Sequence, residues 1–151
     1  MAIATRISTG LFPEGAGAFF RKRLAESTGF GLFVLAALVT AALVTFDPAD
    51  PSFSRATDAK ATNILGFAGA ACADAILQTL GLAGALIPVS FAAWGWRLMR
   101  SRAMSLWWLR VALLPATILL AAMALSTWTA PAGWPRPIDG GLGGAVGQIF
   151  L

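Results

Sequence analysis

Three long apolar stretches dominate the chain, and the first covers residues 29–46. As a helix its 18 residues would be about 27 Å long, enough to cross a hydrocarbon core of about 30 Å. Arg21, Lys22 and Arg23 precede this stretch, and Asp47 and Pro48 end it. A cleavable signal peptide is the competing interpretation, because a basic segment before an apolar one is also its pattern. The length of the run and the lack of a clean cleavage site favour a retained span.

The second apolar stretch, residues 64–98, would be about 52 Å long as one helix, too long for a single crossing. Gly81 and Gly84 are expected to divide it into an outer helix over residues 64–80 and a span over residues 82–98. We expect Asn63 to cap the outer helix. Small and polar residues recur every four positions along this helix; they are Gly66, Ala70, Asp74 and Gln78. This pattern predicts that the helix lies at the membrane interface or packs against the bundle.

Asp74 is the one acid inside an apolar stretch. A carboxylate buried in a membrane would indicate a function such as a proton relay. Asp74 has neither a basic partner nor a second acid at a similar depth, so we favour an interfacial helix in which it reaches water.

The third apolar stretch covers residues 106–128 and contains Pro115, which predicts a kink. Tryptophans bound this stretch and also occur at the corresponding end of the second span. They predict an aromatic belt at the two membrane interfaces; its members are Trp94, Trp96, Trp107, Trp108 and Trp128.

The composition agrees with a membrane protein, because 58% of the residues are hydrophobic and only 12% are charged, with a mean hydropathy of +0.75. Soluble domains carry about 25% charged residues. The predicted fold class is all-α, a polytopic transmembrane bundle with three full spans, interfacial helices and a fourth span that is truncated or absent. We expect a cytoplasmic tail over residues 1–28 and a membrane domain over residues 29–151, with a second outer helix over residues 140–151.

The net charge is +4, but the cations form no continuous basic face for nucleic acid. Eight of the eleven lie in the tail and in the turn between the second and third spans; they are Arg6, Arg21, Lys22, Arg23, Arg97, Arg100, Arg102 and Arg110. The other three are Arg55, Lys60 and Arg136. Because cytoplasmic loops are rich in cations, we expect the tail and this turn to face the cytoplasm of a bacterial inner membrane.

Several chemistries are excluded by composition. With no histidine and one cysteine, the chain has no Ser-His-Asp or Cys-His nucleophile, no internal disulfide and no zinc site of the usual kind. No lysine follows a glycine, so a phosphate-binding loop is missing. We predict no catalytic, cofactor-binding or metal-binding residue and no enzyme activity, and we expect Cys72 to be a small packing residue.

A glycine motif is repeated with an offset of 75 residues, because Gly66-x-x-Gly69-Ala70 recurs as Gly141-x-x-Gly144-Ala145. Each copy follows a loop rich in Asp and Pro, and a full span follows the first copy. The second copy stops at Leu151, twelve residues after Asp139 and too short to cross the membrane. We expect the chain to be cut just before a fourth span.

Two uncommon segments together resemble a known family. Residues 46–54 contain D-P-x-D-P-S at Asp47, Pro48, Asp50, Pro51 and Ser52, and residues 63–70 read N-x-L-G-x-x-G-A. With Asp74 and the glycines at 140–143, they resemble the N-terminal four-helix membrane region of the FtsK/SpoIIIE DNA translocases over residues 21–151. The D-P-x-D-P loop has two interpretations. It could contact a partner, or its Asp-Pro pairs could serve only to end a helix at the membrane surface, which is at least as good an explanation.

The resemblance implies a membrane anchor that reaches the division septum and contacts division-site membrane proteins or further copies of itself in a homo-oligomer. It also implies that a motor outside these residues pumps DNA with ATP, so that this segment binds the lipid bilayer but neither DNA nor ATP. Two other function classes remain open. One is a small accessory subunit of a larger inner-membrane complex, and the other is a transporter or membrane enzyme, for which the internal repeat is the only support.

Overall fold

The computed structural model describes residues 16–100, 106–131 and 141–150. The described residues form five α-helices and a 3-10 turn over Gly81–Ala85, with no strand; the helices are α1 (Ala16–Val44), α2 (Gly66–Leu80), α3 (Leu86–Met99), α4 (Trp107–Ser126) and α5 (Gly144–Ile149). The all-α fold class is therefore confirmed. Several predicted positions lie outside the described residues, namely Arg6, Arg102, Arg136, Asp139 and Gly140.

Three stretches of the described chain are long and apolar enough to cross a membrane: α1, the run Gly66–Met99 and α4. Alone, α3 is about 21 Å long, shorter than the hydrocarbon core. The five-residue 3-10 turn adds about 10 Å, so the turn and α3 together are long enough to span the membrane. The interfacial placement of α2 stays a prediction.

Helix α1 is longer than the predicted span, because it begins at Ala16 and includes the basic residues at 21–23. Inside its apolar part, the hydroxyl of Thr40 donates to the carbonyl of Ala36. Directly after the helix, the hydroxyl of Thr45 donates to the carbonyl of Ala41, so neither hydroxyl is left without a partner. The helix ends just before Asp47-Pro48, since proline disfavours helical backbone in the residue before it.

Helices α1 and α3 are antiparallel and touch through their backbones at Gly29 and Gly95. A Cβ atom at Gly29 would lie 2.7 Å from the carbonyl oxygen of Gly95 and 2.8 Å from the amide nitrogen of Met99. A Cβ atom at Gly95 would lie 2.6 Å from the carbonyl oxygen of Gly29. This contact, here called the glycine seam, exists only because neither residue has a side chain.

Helix α4 packs against the start of α3 rather than along its length. Ala83 of the 3-10 turn, Ile118 and Ala122 form a buried apolar cluster, which Leu86 and Ile87 cover. Helix α4 contains Pro115 and nevertheless continues to Ser126. Since α3 runs opposite to both α1 and α4, the C-terminal ends of α1 and α4 lie at the same end of the bundle.

The two ends of the bundle differ in character. One end, here called the loop end, carries the C-terminal ends of α1 and α4, the polar loop over residues 45–65, α2, the 3-10 turn and α5. The opposite end, here called the basic end, carries the first turns of α1, the last turn of α3 and the first turn of α4. Its cations are Arg21, Lys22, Arg23, Arg97, Arg100 and Arg110.

Candidate interaction site: the polar network at the loop end

Asp50 is the centre of the polar loop. Its carboxylate is 5% exposed and accepts the amide and the hydroxyl of Thr62, at 2.7 and 2.9 Å, and the amide of Asn63 at 2.9 Å. Burial alone would raise the pKa of Asp50, but the three hydrogen bonds outweigh it and hold the pKa below its ordinary value. Asp50 therefore fixes the second half of the loop onto the first.

Asn63 joins the loop to both neighbouring helices. Its side-chain amide donates to the carbonyls of Ala42 and Thr45, at 2.9 and 3.2 Å, at the C-terminal end of α1. Its side-chain oxygen accepts the amide of Leu65 at 3.1 Å. The last carbonyls of a helix have no partner within the helix, so Asn63 satisfies groups that would otherwise be unpaired at the membrane surface.

The expectation that Asn63 caps the outer helix is wrong. Helix α2 begins at Gly66, its N-cap position is Leu65, and no side chain bonds to that cap. Gly66 has φ of +65°, which glycine adopts without strain, and the chain enters α2 through this residue. Because α2 begins two residues later than expected, Asn63 bonds to α1 instead.

Asp74 forms a second polar cluster on α2. Its two carboxylate oxygens accept the hydroxyl of Ser54 at 2.5 Å and the amide of Gln78 at 2.7 Å, and Gln78 also donates to Ser54 at 2.7 Å. Asp74 is 6% exposed, so the expectation that it reaches water is wrong. The polar loop folds over this face of α2 and supplies the serine that replaces water.

The remaining loop residues hold the turn and expose one aromatic ring. Asp47 accepts the amide of Ala49 at 2.8 Å, which stabilises the turn at the first Asp-Pro pair. Arg55 donates to the carbonyl of Pro48 at 3.0 Å. Phe53 is 85% exposed, and its ring meets the edge of Phe67 from α2 at 6.1 Å between centroids.

The small residues of the repeated glycine motif lie inside the bundle only in part. Ala70 is buried, Gly69 faces Asn63 and Leu65, and a Cβ atom at Gly144 would lie 2.5 Å from the amide nitrogen of Gly81. Around Gly66 and Gly141 there is open space. Sequence reasoning missed the glycines with the closest helix contacts in α1, α3 and α5, which are Gly29, Gly95 and Gly147.

The structure aligns the two copies of the glycine motif differently from the sequence. Gly66 and Gly144 are both the first residue of a helix, and both have φ of +65°. Three residues later, Gly69 and Gly147 are both buried. Gly66 thus corresponds to Gly144 rather than to Gly141, and in both copies the chain enters a helix through a glycine of the same conformation.

The described residues contain no group of three or more His, Cys, Asp or Glu side chains that could hold a metal ion. Cys72, expected to be a small packing residue, is exposed on α2 and is not packed among the described residues. The tryptophans expected at the interfaces face outward: Trp96, Trp107, Trp108 and Trp128 are at least half exposed and Trp94 is partly exposed. Their depth in a bilayer stays a prediction.

These features define a polytopic membrane protein that has a structured polar loop at one end and a cluster of cations at the other. The chain belongs to the family described as the 4TM region of DNA translocase FtsK/SpoIIIE, which matches residues 21–151. No solved structure matches the chain.

Curated relatives extend well beyond the region that this chain covers. DNA translocase FtsK of Bradyrhizobium diazoefficiens is 38% identical over 142 residues, 94% of this chain and 17% of that protein. The FtsK of Rhizobium meliloti is 41% identical over 133 residues, 88% of this chain and 15% of that protein. The FtsK of Azospirillum brasilense is 32% identical over 142 residues, 93% of this chain and 22% of that protein. The chain thus corresponds to the membrane region of these relatives and not to their motor domain.

Proposed function

We propose that this chain anchors an FtsK-type DNA translocase in the bacterial inner membrane and directs it to the division septum. The observation that carries the proposal is the family match over residues 21–151 on a bundle with three membrane-capable helices. The curated relatives are DNA translocases, and in this proposal the translocation of DNA belongs to residues outside this chain. The 151 residues contain no phosphate-binding loop, so we expect the purified chain to show no saturable ATP hydrolysis and no specific DNA binding.

The basic end faces the cytoplasm in this proposal. Six of the described cations lie there, against Arg55 and Lys60 at the loop end, and cations are enriched on the cytoplasmic side of membrane proteins. The loop end carries most of the described acids, Asp47, Asp50, Asp58 and Asp74, and faces outward.

The polar loop is the surface through which the anchor recognises division-site membrane proteins. The flanks of the helices expose mainly apolar side chains that suit lipid, whereas the loop combines exposed polar groups with Phe53. Its two hydrogen-bonded clusters keep it in one conformation, which lowers the entropic cost of binding a partner. In this proposal Asp50 and Asp74 shape the surface from within, and Phe53 contacts the partner.

Fluorescent fusions to the chain would test the targeting. We expect a midcell band in dividing cells, weakened by Phe53→Ala and unchanged by Leu24→Ala, since Leu24 is 71% exposed at the other end of α1. Uniform membrane fluorescence from a stably inserted fusion would contradict septum targeting. A band that Phe53→Ala leaves intact would contradict recognition through the loop.

Cysteine labelling would test the orientation. In a Cys72→Ala background, a cysteine at Ala56 reports on the polar loop and a cysteine at Gly17 on the basic end, because both positions are exposed. We expect an impermeant maleimide to label position 56 in intact spheroplasts and position 17 only after lysis. The reverse pattern would overturn the proposed topology.

A further inference from the structure

The cations at the basic end are poorly matched by acids. Glu26 is the one acid at this end within the described chain, and it already pairs with Arg23 at 2.9 Å and with Lys22 at 3.9 Å. Among the described residues, Arg97, Arg100 and Arg110 form no ion pair. Within the described chain, this end of the bundle therefore offers three guanidinium groups that no carboxylate neutralises.

Arg97 contains an unsatisfied donor. It lies in the last turn of α3, and its Nε atom is buried with no hydrogen-bond partner in the described part of the chain, although the residue as a whole is partly exposed. A buried donor without an acceptor is destabilising, and more so when the group is charged. Because Nε itself is buried, an acceptor from outside the chain would bond to the terminal nitrogens of the same guanidinium, which are not buried.

Arg100 lies beside Arg97 and is already oriented. Its guanidinium stacks on the Trp96 ring, 4.5 Å from the centroid. Stacking uses the flat face of the guanidinium and leaves its N–H donors, which lie in the plane, for an acceptor. Since residues three apart are neighbours on a helix, the two arginines can reach one ligand.

Arg97 lies on the flank of α3 opposite α1, and Arg100 is exposed at the end of the helix. Gly95 and Met99 contact α1, and Arg97 is two residues from each, about 200° around the helix, so it points away from α1. Trp96 is 50% exposed on the same segment, and an exposed indole beside cations is typical of the depth of lipid headgroups.

We propose that Arg97 and Arg100 bind the phosphate of an anionic phospholipid headgroup at the basic end. The guanidinium fork matches two phosphate oxygens, and the net negative charge of the lipid balances two cations that have no carboxylate partner among the described residues. The acyl chains then lie along the apolar surface near Trp96, which a free phosphate ion would leave uncovered. The site depends on neither the septum targeting nor the orientation proposed above.

Native mass spectrometry of the purified 151-residue chain in mild detergent tests this site, with phosphatidylglycerol and phosphatidylcholine as probes. We expect about fivefold tighter retention of phosphatidylglycerol, and we expect Arg97→Gln to remove this preference. Arg100→Gln should weaken it, and this exposed position keeps the test valid if Arg97→Gln fails to fold. The matched control is Lys60→Gln, which removes one cation from the loop end and should change nothing.

Three results would overturn the proposal. The first is equal retention of the two lipids by the unaltered chain. The second is an unchanged preference for phosphatidylglycerol in Arg97→Gln or, if that variant does not fold, in Arg100→Gln. The third is displacement of the lipid by inorganic phosphate at equal concentration, which would mean that the arginines bind a free anion rather than a lipid.

Discussion

The glycine seam and the loop end join helices by opposite means. At the seam, Gly29 and Gly95 bring two backbones together because side chains are absent. At the loop end, Asn63 and Asp50 supply polar side chains that satisfy backbone groups from distant parts of the chain. The seam thus depends on shape alone, and the loop end depends on hydrogen bonds.

The difference follows from where each region lies. Within a helix every backbone group is already bonded, so at the seam, which lies in helix interiors next to the basic end, close packing of small residues is the available attraction. Where α1 ends, its last carbonyls lack partners, and Asn63 reaches back 21 residues to supply a donor to Ala42. Each region uses the interaction that its surroundings make strongest.

The largest expected effect comes from filling the seam. Gly29→Ala puts a methyl group 2.7 Å from the carbonyl oxygen of Gly95 and 2.8 Å from the amide of Met99, so α1 and α3 must separate. We expect a loss of about 3 kcal/mol in the free energy of unfolding, at the upper end of the usual cost of overpacking. Equilibrium unfolding of the chain in mild detergent, followed by circular dichroism, measures it.

Gly31→Ala is the matched control, because it lies in the same helix and a Cβ atom there meets nothing within 4 Å. It should leave stability unchanged or raise it slightly, since alanine favours the helix. Equal losses from the two substitutions would mean that helix α1 itself, rather than the seam, is sensitive to change.

The sequence predicts the two regions to different degrees. Apolar length predicts the helices well, and Gly81 and Gly84, expected to break the second stretch, lie in the 3-10 turn. Gly29 and Gly95 carry no such signal, because nothing in the sequence distinguishes Gly29 from its neighbour Gly31, and only the pairing of α1 with α3 gives the two glycines a role. Spacing along one helix cannot show a contact between two helices.

The polar network is partly visible in the sequence. The D-P-x-D-P pattern indicates an ordered turn, but nothing in it shows that Asp50 accepts hydrogen bonds from Thr62 and Asn63, twelve and thirteen residues away. Asp74 stands out as an acid in an apolar stretch, and its partner Ser54 comes from a loop whose path the sequence does not indicate. In both cases the hydrogen-bond partners are distant along the chain, so the sequence alone does not indicate them.

The second largest effect should come from Asn63→Ala. This change removes donors to the carbonyls of Ala42 and Thr45 and an acceptor for the amide of Leu65, and we expect a cost of about 2 kcal/mol in the same unfolding assay. Thr57→Ala is the control, because it removes an exposed bond of 3.3 Å to Ala59 and should cost little. If the two variants were equally stable, the hydrogen bonds between Asn63 and the end of α1 would contribute nothing to the free energy of unfolding.

Asp74→Ala should have a smaller effect of about 1 kcal/mol, because Ser54 and Gln78 still bond to each other when the carboxylate is gone. The matched comparison is Ser54→Ala, which removes the loop partner and leaves Asp74 bonded to Gln78. If the cluster acts as one unit, the double variant should cost less than the two single variants added together. Strict additivity would show that the loop and α2 are stabilised independently.

The smallest expected effect is a pH dependence of the stability that the loop end contributes. The stability contributed by the glycine seam should not depend on pH. The pKa of Asp50 lies below its ordinary value of 3.8 because Thr62 and Asn63 donate hydrogen bonds that outweigh burial. A lowered folded-state pKa gives stability that is fully present above pH 3.8 and is lost as the pH falls through the folded-state value. Asp50→Asn should lower stability at pH 7 and weaken this acid-dependent loss, whereas Gly29→Ala should lower stability equally at every pH. Identical pH profiles for the unaltered chain and Asp50→Asn would show that another group causes the acid dependence.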